Sequence, residues 1–183
     1  MHVTIAGLTV LTGVSLTGTD AWWMTISGSV TNDGTITANN LNYPLNFNIG
    51  GGIVNNGSWD AGEIKVTGGY PHSLYTNSAG NFSPNTLRIQ DSSLVATSTV
   101  YLNNVVVTGN RLVLNSGADL YLTNNSSINN LSHLDANNNA IWGVNNGYIV
   151  NYTTVHDARI KGKVFISSHN VVFAGATVVE DTL

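Results

Sequence analysis

The sequence predicts an all-β chain wound as a solenoid, and three observations carry that prediction. Helix formers never gather: Ala, Leu, Glu, Lys and Gln do not accumulate over a helical window, and no sustained 3.6-residue periodicity appears. Short β-branched and aromatic runs occur throughout, each bounded by Gly, Asn, Asp or Ser. A polar pair returns behind an apolar run at a nearly constant interval.

The strand runs follow one another along the whole chain: Val3-Thr4-Ile5, Thr35-Ile36-Thr37, Glu63-Ile64-Lys65-Val66, Val105-Val106-Val107 and Lys163-Val164-Phe165-Ile166. Alone they permit a sandwich, a barrel or a solenoid, and the repeat decides between these. The polar pair occurs at Asn32-Asp33, Asn55-Asn56, Asn77-Ser78, Asn103-Asn104, Asn124-Asn125, Asn145-Asn146 and Ser167-Ser168. The steps between successive pairs are 23, 22, 26, 21, 21 and 22. Apolar residues precede each pair: Val30, Val54, Tyr75, Tyr101-Leu102, Tyr121-Leu122, Val144 and Phe165-Ile166. A second series, Arg88, Arg111, His133 and His156, steps by 23, 22 and 23.

A unit of this length cannot bury its own apolar face and must stack on its neighbours. With two or three short strands and no helix per unit, each unit is one coil of a single-stranded parallel β-helix, expected to be right-handed. The chain, residues 1–183, then forms one domain of about eight coils of roughly 22 residues. At about 4.8 Å per coil such a rod is on the order of 40 Å long. Val, Ile, Leu and stacked aromatic rings, Trp59 and Trp142 among them, are expected to fill the interior.

The phrase Val54-Asn55-Asn56-Gly57 returns as Val144-Asn145-Asn146-Gly147 and is anticipated by Val30-Thr31-Asn32-Asp33-Gly34. It reads as a strand end followed by a corner. Asn and Asp tolerate the left-handed backbone region and Gly enters it freely. An inward Asn also hydrogen-bonds the Asn of the next coil, making an amide ladder. The expected corner and ladder residues are Asn32, Asn55, Asn56, Asn77, Asn103, Asn104, Asn124, Asn125, Asn145 and Asn146. The longest step, from Asn77 to Asn103, contains Ser78 to Pro84, which reads as an enlarged loop. Asn39 to Pro44 and Gly50-Gly51-Gly52 read as further excursions.

Composition narrows the function classes. Only 9% of residues are charged, against roughly 25% in ordinary domains. Hydrophobic residues make up 42%, so the chain is not of the disordered class. Six Lys plus Arg and a net charge of −4 give no phosphate-binding surface and exclude nucleic acid as a partner. Without cysteine, neither disulfides nor thiolate metal sites hold the fold. No run of about 18 apolar residues marks a membrane span, and the N-terminal stretch reads as strand. The neutral Asn/Thr/Ser surface, with 26 Asn, fits the outside of a cell.

Three phrases carry a resemblance: GSVTNDGTITANN, GGIVNNGSWDAGEIKVTGG and RLVLNSGADLYLTNNSSI. Their spacing and style resemble secreted bacterial β-helix repeat proteins, among them surface adhesins and filament subunits with NNGTI-type coils. The resemblance covers nearly the whole chain. It implies an extracellular or cell-surface structural or adhesive role and no particular chemistry.

Candidate chemistry is sparse. Asp135 and Asp157 stand one coil apart by the repeat count, as do His133 and His156, and Arg159, Lys161 and Lys163 follow. Paired carboxylates beside His156 and Arg159 are the arrangement for acid–base work on a glycan. Asn32-Asp33-Gly34 and Asp60 offer hard oxygens, but too few carboxylates for calcium, so no metal or cofactor is expected. Neighbours on a strand point to opposite sides, so Trp22 and Trp23 cannot both face inward, and the pair is a candidate contact surface. Asn56, Asn81, Asn124, Asn125, Asn130 and Asn151 head Asn-x-Ser/Thr triplets, acceptors for N-glycans in a suitable host. No Thr-x-Thr recurs at the coil period, which argues against an ice-binding face. The chain begins in strand and stops at Val178-Val179 and the residues after it, inside an apparent coil. The expectation is therefore a non-enzymatic rod segment or filament subunit. It would stack end to end on its own kind or on coils of a longer chain. A glycan-binding or glycan-cleaving β-helix is the alternative, with cell-surface glycans as partners.

Overall fold

A computed structural model of the chain describes residues 2–20, 22–38, 44–77, 81–167 and 169–180. They contain strands and turns and no helix. The first four turns of the chain carry three strands each. These are β1 (His2–Ile5), β2 (Leu8–Val10), β3 (Ser15–Gly18), β4 (Trp22–Ile26), β5 (Val30–Asn32), β6 (Thr35–Ala38), β7 (Leu45–Ile49), β8 (Ile53–Asn55), β9 (Ser58–Asp60), β10 (Glu63–Val66), β11 (His72–Thr76) and β12 (Asn81–Phe82). Longer elements that bend through a corner follow: β13 (Thr86–Ala96), β14 (Val100–Asn103), β15 (Val106–Leu114), β16 (Leu120–Thr123), β17 (Ser127–Asp135) and β18 (Ala140–Val150). The last are β19 (Thr154–His156), β20 (Arg159–Ser167), β21 (Val172–Ala174) and β22 (Val178–Val179).

Every strand pairing is parallel, and together they build a β-solenoid of about eight turns with three faces. The first face stacks β1, β4, β7, β10, the leading halves of β13, β15 and β17, then the trailing halves of β18 and β20. The second stacks β2, β5, β8, β11, the trailing halves of β13, β15 and β17, then β19 and β21. The third stacks β3, β6, β9 and β12, and further on β14, β16, the leading halves of β18 and β20, and β22. The coil length is nearly constant, as the register partners Ile26 and Ile49, then Tyr121 and Trp142, illustrate. It contracts between β7 and β10, where Phe47 meets Ile64.

Alternation places the core. Ile5, Ile26, Ile49, Val66 and Ile89 are successive partners on the first face, the last four fully buried. Leu16, Ile36, Trp59 and Phe82 form the corresponding inner column of the third face. Each fully buried side chain of this size contributes about 1.5–3 kcal/mol by removal from water. Trp59 meets Phe47 and Phe82 edge to face, at 5.0 and 5.9 Å between ring centres. Its indole N–H has no hydrogen-bond partner among the described residues.

Several sequence expectations are corrected here. The polar-pair series mixes different corners. Asn32, Asn55 and Asn77 stand between the second and third faces, whereas Asn103, Asn124 and Asn145 stand between the third and first. Ser167 ends β20 on the first face. The long step from Asn77 to Asn103 is thus a passage from one corner to the next and not an enlarged loop. Asn81-Phe82 is strand, paired with Ser58-Trp59 of the preceding coil, while Ser78–Gly80 lies outside the described residues. Gly50-Gly51-Gly52 is no excursion either. It is a close corner in which Gly50 N–H bonds Ile26 C=O at 2.8 Å, and a Cβ on Gly51 would press on the Gly28 backbone. Of the Asn39–Pro44 excursion, residues 39–43 lie outside the described residues, and Pro44 C=O accepts from Trp22 N–H. Arg88 belongs to the first face and Arg111 to the second, so they share no column. Trp59 is interior as expected, but Trp142 points outward, between buried Ile141 and Gly143.

Candidate functional site

The Asn residues divide by corner. Asn32 and Asn55 point inward and are fully buried; Asn32 Nδ2 donates to Asn55 Oδ1 at 2.7 Å and to Ser58 C=O at 3.0 Å. Asn32 Oδ1 accepts from Gly34 N–H, and Asn55 Nδ2 donates to Gly57 C=O. The second residue of that corner turns outward, where Asn56 Nδ2 donates to Asp33 Oδ1 at 2.7 Å. Asn77 N–H bonds Asn55 C=O, and the register partner of Asn55 is Thr76.

At the other corner the amides form an outer ladder. Asn103 donates to Asn81, Asn124 to Asn103 and Asn145 to Asn124, at 2.9, 2.8 and 3.5 Å. Here the left-handed backbone is used: Asn104, Asn124, Asn125, Asn145 and Asn146 have φ between 49° and 69°. The repeated VNNG phrase therefore serves two purposes, an inward amide at Asn55 and a left-handed corner at Asn145-Asn146. Of the glycan-acceptor triplets, Asn124, Asn125, Asn130 and Asn151 also sit at positive φ.

The charged candidates are engaged in bonds between coils. Arg111 Nε donates to the Asp135 carboxylate, and Arg88 Nε to Glu63 at 2.6 Å. Arg159 and Lys161 both donate to Glu180. Hydrogen bonds from Arg159 and Lys161 hold the Glu180 carboxyl down at about 2, and the same contact raises Arg159. Asp135 and His156 are register partners, and the His133 and His156 rings stack 5.7 Å apart. Asp157 is a corner residue at φ 51° whose Oδ1 accepts from Ala176 N–H at 2.8 Å. Of the four sequence candidates, the structure brings Asp135 and His156 together. It sets Asp157 at the following corner and turns Arg159 toward Glu180 on the third face. Among the described residues no three His, Asp or Glu side chains cluster to hold a metal ion.

The aromatic residues form a second outer column, which the sequence reading placed inside. Tyr101, Tyr121 and Trp142 are register partners on the third face. Their rings stack at 4.9 and 5.8 Å with interplanar angles of 17° and 6°, and Lys161 lies over Trp142 at 4.9 Å. Trp142 Nε1 donates to Asp119 Oδ2 at 3.2 Å. Burial pushes the Tyr121 phenol up, and Tyr101 and Asp119 add to the rise. The signal was the coil-length spacing of three aromatic residues, each flanked by apolar neighbours. As expected of neighbours on a strand, Trp22 and Trp23 face opposite ways. Trp22 packs toward the core, and Trp23 lies outside with Lys65 over its ring at 4.1 Å.

Clefts lie along two of the corners and at the first coil. β12 pairs with β9 and β14 with β16, and the two strands are joined by side chains: Asn103 to Asn81, and Ser83 Oγ to Asn103 C=O at 2.5 Å. At the corner between the second and third faces an open cleft of about 340 Å³ is lined by residues 75–77, Ser98, Thr99, Tyr101 and Gly117, and Tyr101 N–H donates to Thr76 Oγ1 at 3.0 Å. Two neighbouring clefts at the first corner, of about 440 and 250 Å³, share Asn110 and border Arg88 and Arg111. A cleft of about 180 Å³ opens into the first coil between Val3, Leu16, Trp22 and Leu45.

Fold and surface together define a parallel β-solenoid whose outer side chains are tied from coil to coil. Compared with protein-family models, curated proteins and solved structures, the chain matches none.

Proposed function

We propose that this chain is a non-enzymatic, extracellular structural and adhesive β-solenoid, a rod segment or filament subunit. Its coils stack end to end on a neighbouring molecule or on further coils of a longer chain. One observation carries the reading: the outward polar, aromatic and charged groups are spent on continuous columns parallel to the rod. Asn81, Asn103, Asn124 and Asn145 form one, Tyr101, Tyr121 and Trp142 another, and the Arg–carboxylate pairs bridge coils in the same direction. Such a surface ties coil to coil, and it pairs Glu63, Asp135 and Glu180 with Arg or Lys of another coil. Stacking is further supported by Ile166, Phe173 and Val179. They are partners of the buried Ile149, Val155 and Ile160, yet are 47%, 40% and 55% exposed.

The competing reading is glycan cleavage, favoured by the adjacency of Asp135 and His156. It is tested by incubating the chain and the Asp135→Asn/Asp157→Asn variant with a panel of neutral and acidic polysaccharides and assaying new reducing or unsaturated ends. The expected result is no cleavage by either. Cleavage by the parent chain that is lost in the variant overturns the proposal.

A further inference from the structure

We infer that the cleft beside Tyr101, at the corner between the second and third faces, is a subsite for one ring of a neutral saccharide. This rests on the adhesive reading above and gives it a place on the molecule. In the outer stack both faces of Tyr121 are covered, by Tyr101 and Trp142, and the outer face of Trp142 lies under Lys161. Tyr101 has only one face taken by a ring or cation among the described residues. It ends the ring stack among the described residues, and the cleft lies beside it.

The lining selects the ligand. Tyr75 and Tyr101 supply aromatic surface, and no charged residue lines the cleft. The Thr99 hydroxyl accepts from Asp119 N–H and keeps its O–H to donate, while the Ser98 hydroxyl donates to Thr99 C=O and keeps its lone pairs to accept. A pyranose presents the matching chemistry, an apolar C–H face ringed by hydroxyls. An anion finds no cation here, and a wholly apolar ligand would leave the remaining hydrogen-bonding capacity of the Ser98 and Thr99 hydroxyls unmet. The volume, about 340 Å³, lies at the lower end of the range of about 300–1,000 Å³ for small-ligand sites, which suits a single subsite on a longer chain. The other clefts fit less well. Those bordering Arg88 and Arg111 have guanidiniums already paired with Glu63 and Asp135, and the one at Trp22 opens into the coil interior.

The test is affinity electrophoresis through gels containing soluble mixed-linkage β-glucan, galactomannan or xyloglucan, with polygalacturonate as the acidic comparison. The chain is expected to be slowed by at least one neutral polymer. The dissociation constant should rise at least tenfold in Tyr101→Ala and in Ser98→Trp, and stay unchanged in Tyr101→Phe and Tyr70→Ala. Ser98→Trp fills the cleft and leaves the stack in place, so it decides the matter if Tyr101→Ala unfolds. No retardation by any neutral polymer, or retardation by polygalacturonate alone, overturns the inference. Retardation that survives both Tyr101→Ala and Ser98→Trp also overturns the subsite, while leaving adhesion through another surface standing.

Discussion

An amide inside an apolar tube is tolerated only when its polar atoms are answered. Asn32 meets that condition through Asn55, Ser58 and Gly34. Asn32→Ala strands the buried Asn55 Oδ1, at about 1–3 kcal/mol, and removes a partner from the half-buried Gly34 N–H. Urea unfolding should show the midpoint falling accordingly. Outer-corner Asn residues answer a different need. Asn125 sits at φ 67°, where the left-handed backbone costs most residues roughly 1–2 kcal/mol, a cost that Gly escapes and that Asn offsets through local hydrogen bonding of its short side chain. Asn125→Ala should lower stability by about that amount and Asn125→Gly should be close to neutral. Equal losses in the two variants would show that the backbone conformation is not what selects Asn there. That the chain uses Asn at its turns was legible from the sequence. Which Asn points in and which turns the corner was not, because both positions accept the same residue followed by Gly or Ser.

At the scale of the strand and coil, period and strand type were readable because alternation and a recurrent interval both leave their mark on the sequence. Facing was readable only in part. Ile26, Ile49 and Trp59 are inside, as their apolar character implies. Tyr101, Tyr121 and Trp142 are aromatic too, yet lie outside, because a neighbouring ring one coil away shields each from water as the core would. The apparent insertion after Asn77 arose from counting across two corners. The Glu180 contact ties the last coil to the one before it, and its pH dependence has a definite sign. The folded carboxyl titrates at about 2, below its ordinary 4.5, so its stabilisation is complete above the ordinary value and is lost as pH falls through 2. The thermal midpoint of Glu180→Gln should lie below that of the parent chain at pH 6, and the gap should narrow below the ordinary 4.5 and close as pH falls through 2. A gap independent of pH would show that the carboxylate's charge does not hold this coil.

For the whole molecule, stacking of coils within the chain is the same physical act as stacking of one rod on the next. Parallel strands continue a ladder wherever backbone and apolar interior are offered. The partly exposed Ile166, Phe173 and Val179 offer the second of these. The Asp135→Asn/Asp157→Asn variant should assemble as the parent does, since rod stacking asks nothing of those carboxylates. Phe173→Asp should block assembly while leaving the earlier coils folded, which a far-ultraviolet circular dichroism spectrum would verify. The measurement that bears most directly on the structural role is electron microscopy of the purified chain, paired with light scattering over a concentration series. Rods growing with concentration in steps of about 40 Å, the span of eight coils at the parallel-strand spacing, are the predicted result. A monodisperse particle of single-chain mass at every concentration would contradict the filament account.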